Sequence, residues 1–313
     1  MRLIYPPGME WDIMVQRPHH LLRLAAAAGW KVTWWETGPY RPPREAAPGL
    51  RVVRSWPDAA AAGPFDVLYL TDPTQLIHLR PPAPPLLVYD RCDLRGAHEI
   101  PLLVRADLVL ATTPGLAAQA SRYSRRVVLL PNAADPDHFK PSHRAHRGDP
   151  PCIGYVGILA PHVDYSLLCD LIGARPTWRW LFAGQEKGGV SLPATAEVTR
   201  LGHVDYANLP GVLAEIDVGV VPFKDSPLTR AVDPIKVYEY LAAGKQVVAT
   251  RLPHLAGQDW PIRLARTTDE WLVELDAAAA EASDFAAGRE WAERNTWQRR
   301  AREFQKGIEC LSA

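Results

Sequence analysis

The segment Asp233–Thr250 combines charged residues with the pattern of a helix followed by a buried strand. We expect Asp233 to cap the helix and Pro234 to take its first position, where proline's missing amide hydrogen costs nothing. The backbone amides that follow, from Ile235 onward, are then free to bind an anion. Gly244 suits the left-handed turn that ends such a helix. The segment therefore predicts an anion site at a helix N-terminus.

Two charged residues of this helix extend the prediction to a nucleotide. Lys236 lies in the first turn, where a cation opposes the helix dipole, and a bound diphosphate would remove that conflict. Glu239 follows within one turn and is placed to accept hydrogen bonds from both ribose hydroxyls, as the acidic residue of dinucleotide sites does. The alternative is that both residues only solvate a helix face.

A second group of polar residues follows the first predicted strand. Trp11 offers a flat ring for sugar stacking, and loop packing is an equal alternative. Arg17 lies at a predicted helix start, where a cation is unfavourable unless an anion or a carboxylate lies nearby. Together with His19 and His20, these residues are expected at the edge of a cleft, where they contact an acceptor or a phosphate.

Two aspartates, Asp90 and Asp93, come at the carboxyl end of the predicted strand 86–89. Parallel α/β domains present their functional groups at this edge of the sheet. Either aspartate is a candidate base or a group that orients an acceptor hydroxyl. Helix capping is an equally good explanation for both.

Length and composition exclude several classes of protein. A chain of 313 residues favours two domains, and 47% hydrophobic with 22% charged residues is typical of a globular protein. The 35 basic residues balance the 35 acidic ones, so no global field attracts nucleic acid or an anionic bilayer. The four cysteines form no C-x-x-C pair, which argues against a zinc site or a disulfide framework. With neither a leader nor an apolar span of ~20 residues, we expect a cytoplasmic protein.

Apolar runs alternate with helical patterns along the chain, which predicts an α/β fold with doubly wound parallel sheets. The predicted strands are residues 2–6, 30–36, 51–56, 66–70, 86–89, 108–111, 127–130, 153–156, 180–183, 198–201, 218–221 and 246–250. The predicted helices are residues 18–28, 165–174, 207–216 and 234–243, with helical pattern from about 271 to the end.

A proline-rich, basic segment at 140–151 is the best candidate for a linker between two such domains. We therefore expect an N-terminal domain over 1–143, a second domain over 144–285 and a helical segment over 286–313. Two Rossmann-like domains in tandem place a ligand cleft between them. The final segment mixes arginines with glutamates, which favours a solvated helix face over a membrane-binding one.

Four stretches resemble the GT-B glycosyltransferases of family 4, in particular the bacterial branch of teichuronic acid and capsule transferases. They are Trp11 with QRPHH at 16–20, ADLV at 106–109 with LPNAAD at 130–135 and HF at 138–139, IGYVG at 153–157, and the segment 233–250. Their order and spacing match over nearly the whole chain.

The resemblance implies a nucleotide diphosphate sugar donor, retention of configuration, no metal and no other cofactor. It further implies a glycan or lipid-linked acceptor, a GT-B fold whose C-terminal helix crosses back to the N-terminal domain, and location in the cytoplasm or at the inner face of the plasma membrane. If configuration is retained, the donor's own phosphate can take the acceptor proton, and no dedicated base is required.

Individual residues match the family's E-x7-E donor motif only in part. Glu239 falls on its second glutamate, which binds the ribose, whereas Ala231 stands where the first glutamate contacts the sugar. The loop after Gly157 lacks the arginine and lysine with which many members of the family bind the diphosphate. His162, Arg230 and Lys236 are then the candidates for that role. Asn132, just before the linker, is expected to shape the hinge beside the cleft.

Three other functions compete with this interpretation. A nicotinamide-dependent oxidoreductase is disfavoured, because no G-x-G-x-x-G follows the first predicted strand. A nucleotide-sugar 2-epimerase or a sugar phosphorylase would share the fold and the ribose-binding glutamate. The alanine at 231 also leaves open a pseudoenzyme or partner subunit that binds a nucleotide sugar without turnover.

Overall fold

A computed structural model describes residues 1–78, 83–140, 150–188, 192–195, 197–281 and 285–312. The chain forms two compact α/β units. Unit 1 comprises Met1–Asn132, Ala231–Asp233 and the chain from Trp297 onward, and unit 2 comprises Ala133–Arg230 and Pro234–Thr296. The predicted boundary after residue 143 falls within 141–149, which lies outside the described residues.

Unit 1 is built on an eight-stranded sheet in the order β3-β4-β2-β1-β5-β6-β7-β8. Its strands are β1 (Arg2–Tyr5), β2 (Lys31–Trp35), β3 (Arg44–Ala47), β4 (Leu50–Val53), β5 (Val67–Leu70), β6 (Leu86–Arg91), β7 (Leu108–Ala111) and β8 (Val127–Leu129). Its first helices are α1 (Arg17–Ala27), α2 (Trp56–Ala60), α3 (Ile100–Arg105) and α4 (Pro114–Ala120). All strands run parallel except β3, which pairs antiparallel with β4.

Unit 2 is built on a six-stranded parallel sheet in the order β11-β10-β9-β12-β13-β14. Its strands are β9 (Cys152–Val156), β10 (Arg179–Ala183), β11 (Val198–Gly202), β12 (Val218–Val221), β13 (Gln246–Thr250) and β14 (Arg263–Ala265). Its helices are α5 (Tyr165–Ala174), α6 (Leu209–Ala214), α7 (Pro227–Ala231), α8 (Ile235–Ala242), α9 (Pro253–Ala256), α10 (Thr268–Ala280) and α11 (Ala286–Arg294). The last residue of α7, Ala231, is grouped with unit 1.

Central strands of both sheets are fully buried, as in β5, β7, β12 and β13. Such strands read as continuous apolar runs because helices cover both faces of a parallel sheet. Each predicted strand is present, and so are the predicted helices. The sequence did not predict β3, an exposed edge strand of sequence REAA, or β14, which has only three residues.

The last helix, α12 (Trp297–Ser312), packs on α1 within unit 1. Its Trp297 ring stacks on His20 at 4.7 Å, and Phe304 contacts Trp30 and Tyr69. The predicted segment 286–313 is therefore divided, with α11 in unit 2 and α12 in unit 1. No helix among the described residues is long and apolar enough to cross a membrane.

Candidate functional site

Two glycines follow the neighbouring strands β9 and β10 at the carboxyl edge of the sheet in unit 2. Gly157 follows β9 with φ of +136°, and its amide donates to the Ala183 carbonyl at 2.8 Å. Gly184 follows β10 with φ of +149°, and a Cβ there would lie 1.9 Å from the Gly157 carbonyl oxygen. Only glycine permits this approach of two loops, which leaves bare backbone at the strand ends.

The side chain of Lys236, in the first turn of α8, extends toward Gly157. Its Nζ lies 5.0 Å from the centre of the Tyr155 ring and 4.9 Å from that of Phe223. A Cβ on Gly157 would lie 3.3 Å from the same Nζ. Burial lowers the pKa of Lys236 to about 8, although Glu239 opposes the shift. Among the described residues, the ammonium group has aromatic neighbours but no ion pair.

Glu239 is buried on the same helix, with only 9% of its surface exposed. Burial raises the pKa of its carboxyl group to about 7, and the positive charge of Lys236 opposes that shift. Within the described part of the chain, this carboxylate accepts no hydrogen bond and forms no ion pair. A buried carboxylate without a partner is costly, so its retention is typical of a ligand site.

The other residues predicted to bind the diphosphate are less suited to it. The His162 ring lies edge-on against Phe223 at 4.9 Å, and burial lowers its pKa to about 4, so the ring is neutral at pH 7. Arg230 is exposed and forms a bidentate ion pair with Asp225, with N–O distances of 2.5 and 3.0 Å. Neither residue provides a free cation in this structure.

The prediction that Asp233 caps α8 is wrong. Pro234 is the N-cap residue, and the helix begins at Ile235. The Asp233 carboxylate instead accepts the backbone amide of Asn132 at 2.6 Å, while the Asn132 side chain donates to the Asp233 carbonyl at 2.7 Å. Both residues belong to unit 1, and their mutual bonds explain why the carboxylate does not turn toward the helix. Gly244 does end α8, with φ of +70°.

Arg17 is the centre of the polar group in unit 1. Its Nε donates to an Asp90 oxygen at 2.7 Å, and its Nη1 donates to the Pro131 carbonyl at 2.9 Å. Tyr69 donates its hydroxyl to the same oxygen of Asp90. Burial lowers the pKa of Arg17, but Asp90 outweighs it, so the net shift is upward. The carboxylate expected near this helix start is therefore Asp90.

The two aspartates predicted as candidate bases differ in exposure. Asp90 is fully buried and is bound to Arg17 and Tyr69, an arrangement that holds the Arg17 side chain in place. Asp93 is partly exposed and lies 3.3 Å from an Arg95 nitrogen. Burial raises the pKa of Asp93, against the charge of Arg95.

The remaining predicted residues of unit 1 are packed inside it. The Trp11 ring meets Trp34 edge-on at 5.0 Å, which supports the packing alternative over sugar stacking. His19 accepts the Gln16 amide at Nδ1, so its Nε2 carries the hydrogen and donates to the Trp11 carbonyl at 3.2 Å. Burial lowers the pKa of His19 to about 4. The Trp297 ring of α12 stacks on His20 and covers it.

A cavity of about 400 Å³ lies in unit 1 beside these residues. Its walls come mainly from the loops that follow β1, β2 and β5. The lining residues are Pro7, Gly8, Met9, Glu10, Ile13, Met14, Gln16, Thr37 and His78. Two of the three methionines of the chain are among them, which gives the cavity an apolar, adaptable wall.

Sequence reasoning missed Gly184, Tyr155 and Phe223. Gly184 carried a detectable signal, since a glycine directly after a buried strand marks the edge where ligands bind. Tyr155 and Phe223 carried none, because a buried aromatic residue near a strand is more often part of the core.

Comparison with known sequences gives a partial match, and no protein-family model matches the chain. A protein of Bacillus subtilis (strain 168), TuaH, whose name assigns it to teichuronic acid biosynthesis as a glycosyltransferase, is 32% identical over 114 residues. The match covers 35% of this chain and 29% of that protein.

Solved structures match over nearly the full length. Sucrose-phosphate synthase from Thermosynechococcus elongatus superposes with a TM-score of 0.81 at 18% identity, covering 99% of this chain and 98% of that one. The Anabaena protein HepE, solved with UDP and glucose, superposes with a TM-score of 0.69 at 13% identity, covering 99% and 100%. The chain therefore has the GT-B fold, and it resembles glycosyltransferases of that fold.

Proposed function

We propose that the protein is a glycosyltransferase that binds a nucleotide diphosphate sugar at Gly157, Lys236 and Glu239 of unit 2. The observation that carries the proposal is the buried Glu239 carboxylate, which accepts no hydrogen bond from the described residues, close to a lysine that contacts two aromatic rings and forms no ion pair with the described residues. A chain that needed these groups only for stability would pair them or replace them with apolar residues.

Each group has one task toward the donor. The ribose hydroxyls donate to the Glu239 carboxylate, which replaces the water it loses on burial. The diphosphate lies against Lys236 and the first amides of α8, which can bind an anion because Pro234 caps the helix without a side-chain hydrogen bond. The glycine at 157 lets the Lys236 ammonium lie against the backbone at the end of β9, next to the proposed position of the diphosphate.

The same groups support the chemistry of transfer. As the bond between the sugar and the diphosphate breaks, negative charge grows on the leaving phosphate, and Lys236 with the helix N-terminus stabilises it. This supply of positive charge makes transfer without a metal ion reasonable. With retention of configuration, the leaving phosphate takes the proton of the acceptor hydroxyl as the new glycosidic bond forms. The assignment of this chain to family 4 of the GT-B glycosyltransferases is part of this proposal.

Unit 1 binds the acceptor in this proposal, and the acceptor is a glycan or a lipid-linked glycan. The cavity behind β1 offers an apolar wall with a few polar groups, as small-molecule sites do. Asp90 acts as a positioning residue that holds Arg17, rather than as a base, because it is fully buried and already paired. Asp93 is the more accessible of the two carboxylates.

The donor base is tested by titration calorimetry against UDP, GDP, dTDP and ADP with their sugar conjugates. We expect uridine nucleotides to bind, since HepE was solved with UDP and glucose. Glu239→Ala should weaken binding by about 1–3 kcal/mol without unfolding the protein. The matched control is Glu290→Ala, an exposed glutamate on α11 of the same unit. Unchanged affinity in a folded Glu239→Ala variant would disprove the ribose role.

A nucleotide-sugar-binding pseudoenzyme or partner subunit is the second candidate, and the alanine at 231 favours it. In the family's motif this position carries the glutamate that contacts the sugar. Product analysis separates the possibilities. Nucleotide release with a new glycosidic bond supports a transferase, an inverted C2 centre supports a 2-epimerase, and tight binding without turnover supports the pseudoenzyme.

A further inference from the structure

A cluster of three charged residues, Glu36, Arg54 and Glu10, lies at the wall of the cavity in unit 1. Glu36 directly follows β2, and Arg54 directly follows β4. Because these strands are parallel neighbours, both residues lie at the carboxyl edge of the sheet. The Arg54 Nε donates to Glu36 Oε1 at 2.7 Å, and its Nη2 donates to Glu10 Oε2 at 3.2 Å. The cluster therefore connects two strand ends with Glu10, a residue that lines the cavity.

The same cluster fixes the backbone of two loops that line the cavity. In the loop after β1, the Trp11 amide donates to Glu36 Oε2 at 2.8 Å. In the loop after β2, the Pro39 carbonyl accepts a hydrogen bond from Arg54 Nη1 at 3.2 Å. Gly38 permits this approach, because its φ is +125° and a Cβ there would lie 3.1 Å from Arg54 Nη1. This part of the cavity wall is thus held from both loops.

Glu10 is not needed to neutralise the buried arginine. The Arg54 side chain is 7% exposed and already pairs with Glu36, which is 2% exposed and has a donor on each oxygen. The Glu10 side chain is 42% exposed, and its Oε1 accepts no hydrogen bond from the described residues. An ion pair this exposed adds little to stability. With two carboxylates against one guanidinium, the cluster leaves one negative charge at the cavity.

The surroundings of Glu10 suit a sugar without negative charge. Met9, Ile13 and Met14 give the cavity apolar groups against which the C–H face of a sugar ring can pack. The open oxygen of Glu10 can accept a hydrogen bond from a sugar hydroxyl. A phosphate or a carboxylate in the same place would be repelled, since no described lysine or arginine lines the cavity to offset the charge of Glu10.

We propose that Glu10, held in place by Arg54, selects an acceptor sugar that carries no negative charge. The Glu10 carboxylate accepts a hydrogen bond from a hydroxyl of that sugar, and it repels sugars that bear phosphate or carboxylate groups. This selection rests on the proposed function, in which the cavity binds the acceptor, and it narrows the acceptor to one chemical class. Glu10 sets the specificity, and Arg54 is the positioning residue that acts through it.

The test uses matched pairs of methyl glycosides, glucoside with glucuronoside and galactoside with galacturonoside, which differ only in the group at C6. Saturation-transfer NMR titrations measure their binding to the purified chain in the presence of UDP. In at least one pair, the uncharged sugar should bind about 5-fold more tightly than the acid, because Glu10 repels the second carboxylate in a site that water partly screens.

Glu10→Gln keeps a hydrogen-bond acceptor but removes the charge, so the preference for the uncharged sugar should fall below about 2-fold. The matched control is Glu309→Gln, which removes the same charge from an exposed position on α12 of unit 1 and should leave the preference unchanged. Thermal unfolding checks that both variants are folded.

The positioning role of Arg54 is tested with Arg54→Lys, which keeps the charge but cannot reproduce the three directed hydrogen bonds of the guanidinium. This variant should weaken the preference, and adding Glu10→Gln to it should produce no further change. If Arg54→Lys still alters the preference when Glu10 is already glutamine, Arg54 does not act through Glu10 and its positioning role is overturned. If Arg54→Lys does not fold, Glu10→Gln alone decides the proposal.

The proposal is overturned if the wild type binds the acids as tightly as the uncharged glycosides, or if Glu10→Gln keeps the preference. A wild type that binds UDP but none of the glycosides also overturns it, while the donor site of the proposed function stands. Glycoside binding without UDP binding contradicts the donor site alone. A chain that binds neither overturns the proposed function and the selection by Glu10 together.

Discussion

Both units place a cation and a carboxylate near the carboxyl edge of their sheets, where Lys236 is half-buried and Arg17, Asp90 and Glu239 are buried. The two pairs differ in their contacts. In unit 1, Arg17 and Asp90 form an ion pair at 2.7 Å that Tyr69 completes with a hydrogen bond. In unit 2, Lys236 and Glu239 interact electrostatically but form no ion pair among the described residues. The first arrangement pairs its two charges, although Arg17 Nη2 and Asp90 Oδ1 have no hydrogen-bond partner among the described residues. The second leaves its two charges without an ion pair, which is why we propose that a ligand binds there.

The pKa shifts express this difference. Asp90 raises the pKa of Arg17 against the effect of burial, so the guanidinium stays charged at any ordinary pH. Burial dominates in unit 2, where it brings the pKa of Lys236 down to about 8 and that of Glu239 up to about 7. The Arg17–Asp90 pair of unit 1 contributes to the free energy of unfolding. The burial of Lys236 and Glu239 in unit 2 lowers it, and binding of the proposed ligand can recover that loss.

Removing one partner of the Arg17–Asp90 ion pair should have the largest effect. Arg17→Met leaves Asp90 buried with only Tyr69, so the free energy of unfolding should fall by about 3–5 kcal/mol. Urea denaturation measures it, with Arg41→Met, an exposed arginine of unit 1, as the control. Adding Asp90→Asn should recover part of the loss, and a loss below about 1 kcal/mol in the single variant would contradict the comparison.

Removing the charge of Glu239 should instead raise the free energy of unfolding, in a defined pH range. The unfolded carboxyl ionises near 4.5 and the folded one near 7, so the wild-type free energy of unfolding falls as pH rises between these values. Glu239→Gln should match the wild type near pH 4 and exceed it at pH 8 by up to about 3 kcal/mol. Urea denaturation across this pH range gives the difference, and Glu290→Gln should show none.

Lys236→Met should separate binding from stability. We expect affinity for a nucleoside diphosphate to fall by about 1.5–3 kcal/mol, since a charged hydrogen bond is lost. The free energy of unfolding should not fall, because the variant removes a desolvated cation that forms no ion pair with the described residues. Calorimetry and thermal unfolding measure the two quantities, with Lys306→Met as the exposed control. A large loss of stability would show that the lysine supports the fold.

The smallest effect is the pH dependence of donor binding. Affinity for a nucleotide diphosphate sugar should be greatest between pH 7 and 8, where Glu239 is ionised and Lys236 is still charged. On either side it should fall, at most about 10-fold per pH unit. Glu239→Gln should abolish the fall on the acidic side, and Lys236→Met the fall on the alkaline side. A flat profile in the wild type would remove both groups from the binding equilibrium.

The fold was predictable because its evidence is local. Buried parallel strands such as β12 and β13 are continuous apolar runs, and α8 ends at Gly244 as its sequence indicates. The edge strand β3 was not predictable, since REAA has no strand-like pattern and depends on pairing with β4.

The candidate site was predictable only where one residue was anomalous by itself. Lys236 at a helix start and Glu239 in the same helix drew attention by position, and Arg17 by its misplaced charge. Other predictions depended on partners distant in sequence. Asp233 was expected to cap its own helix, but the amide of Asn132, 101 residues away, takes its carboxylate.

The sequence by itself determined the α/β class, the alternation of elements, and which residues carry charge near a strand or helix end, because periodicity and helix electrostatics are local properties. Only the tertiary structure decided which charges are paired. Arg17 meets Asp90 across 73 residues, while Glu239 is buried among described residues that donate no hydrogen bond to it. Burial and pairing depend on contacts between distant segments, and these contacts separate Arg17, which is paired inside unit 1, from Glu239, which we propose as the ribose-binding group.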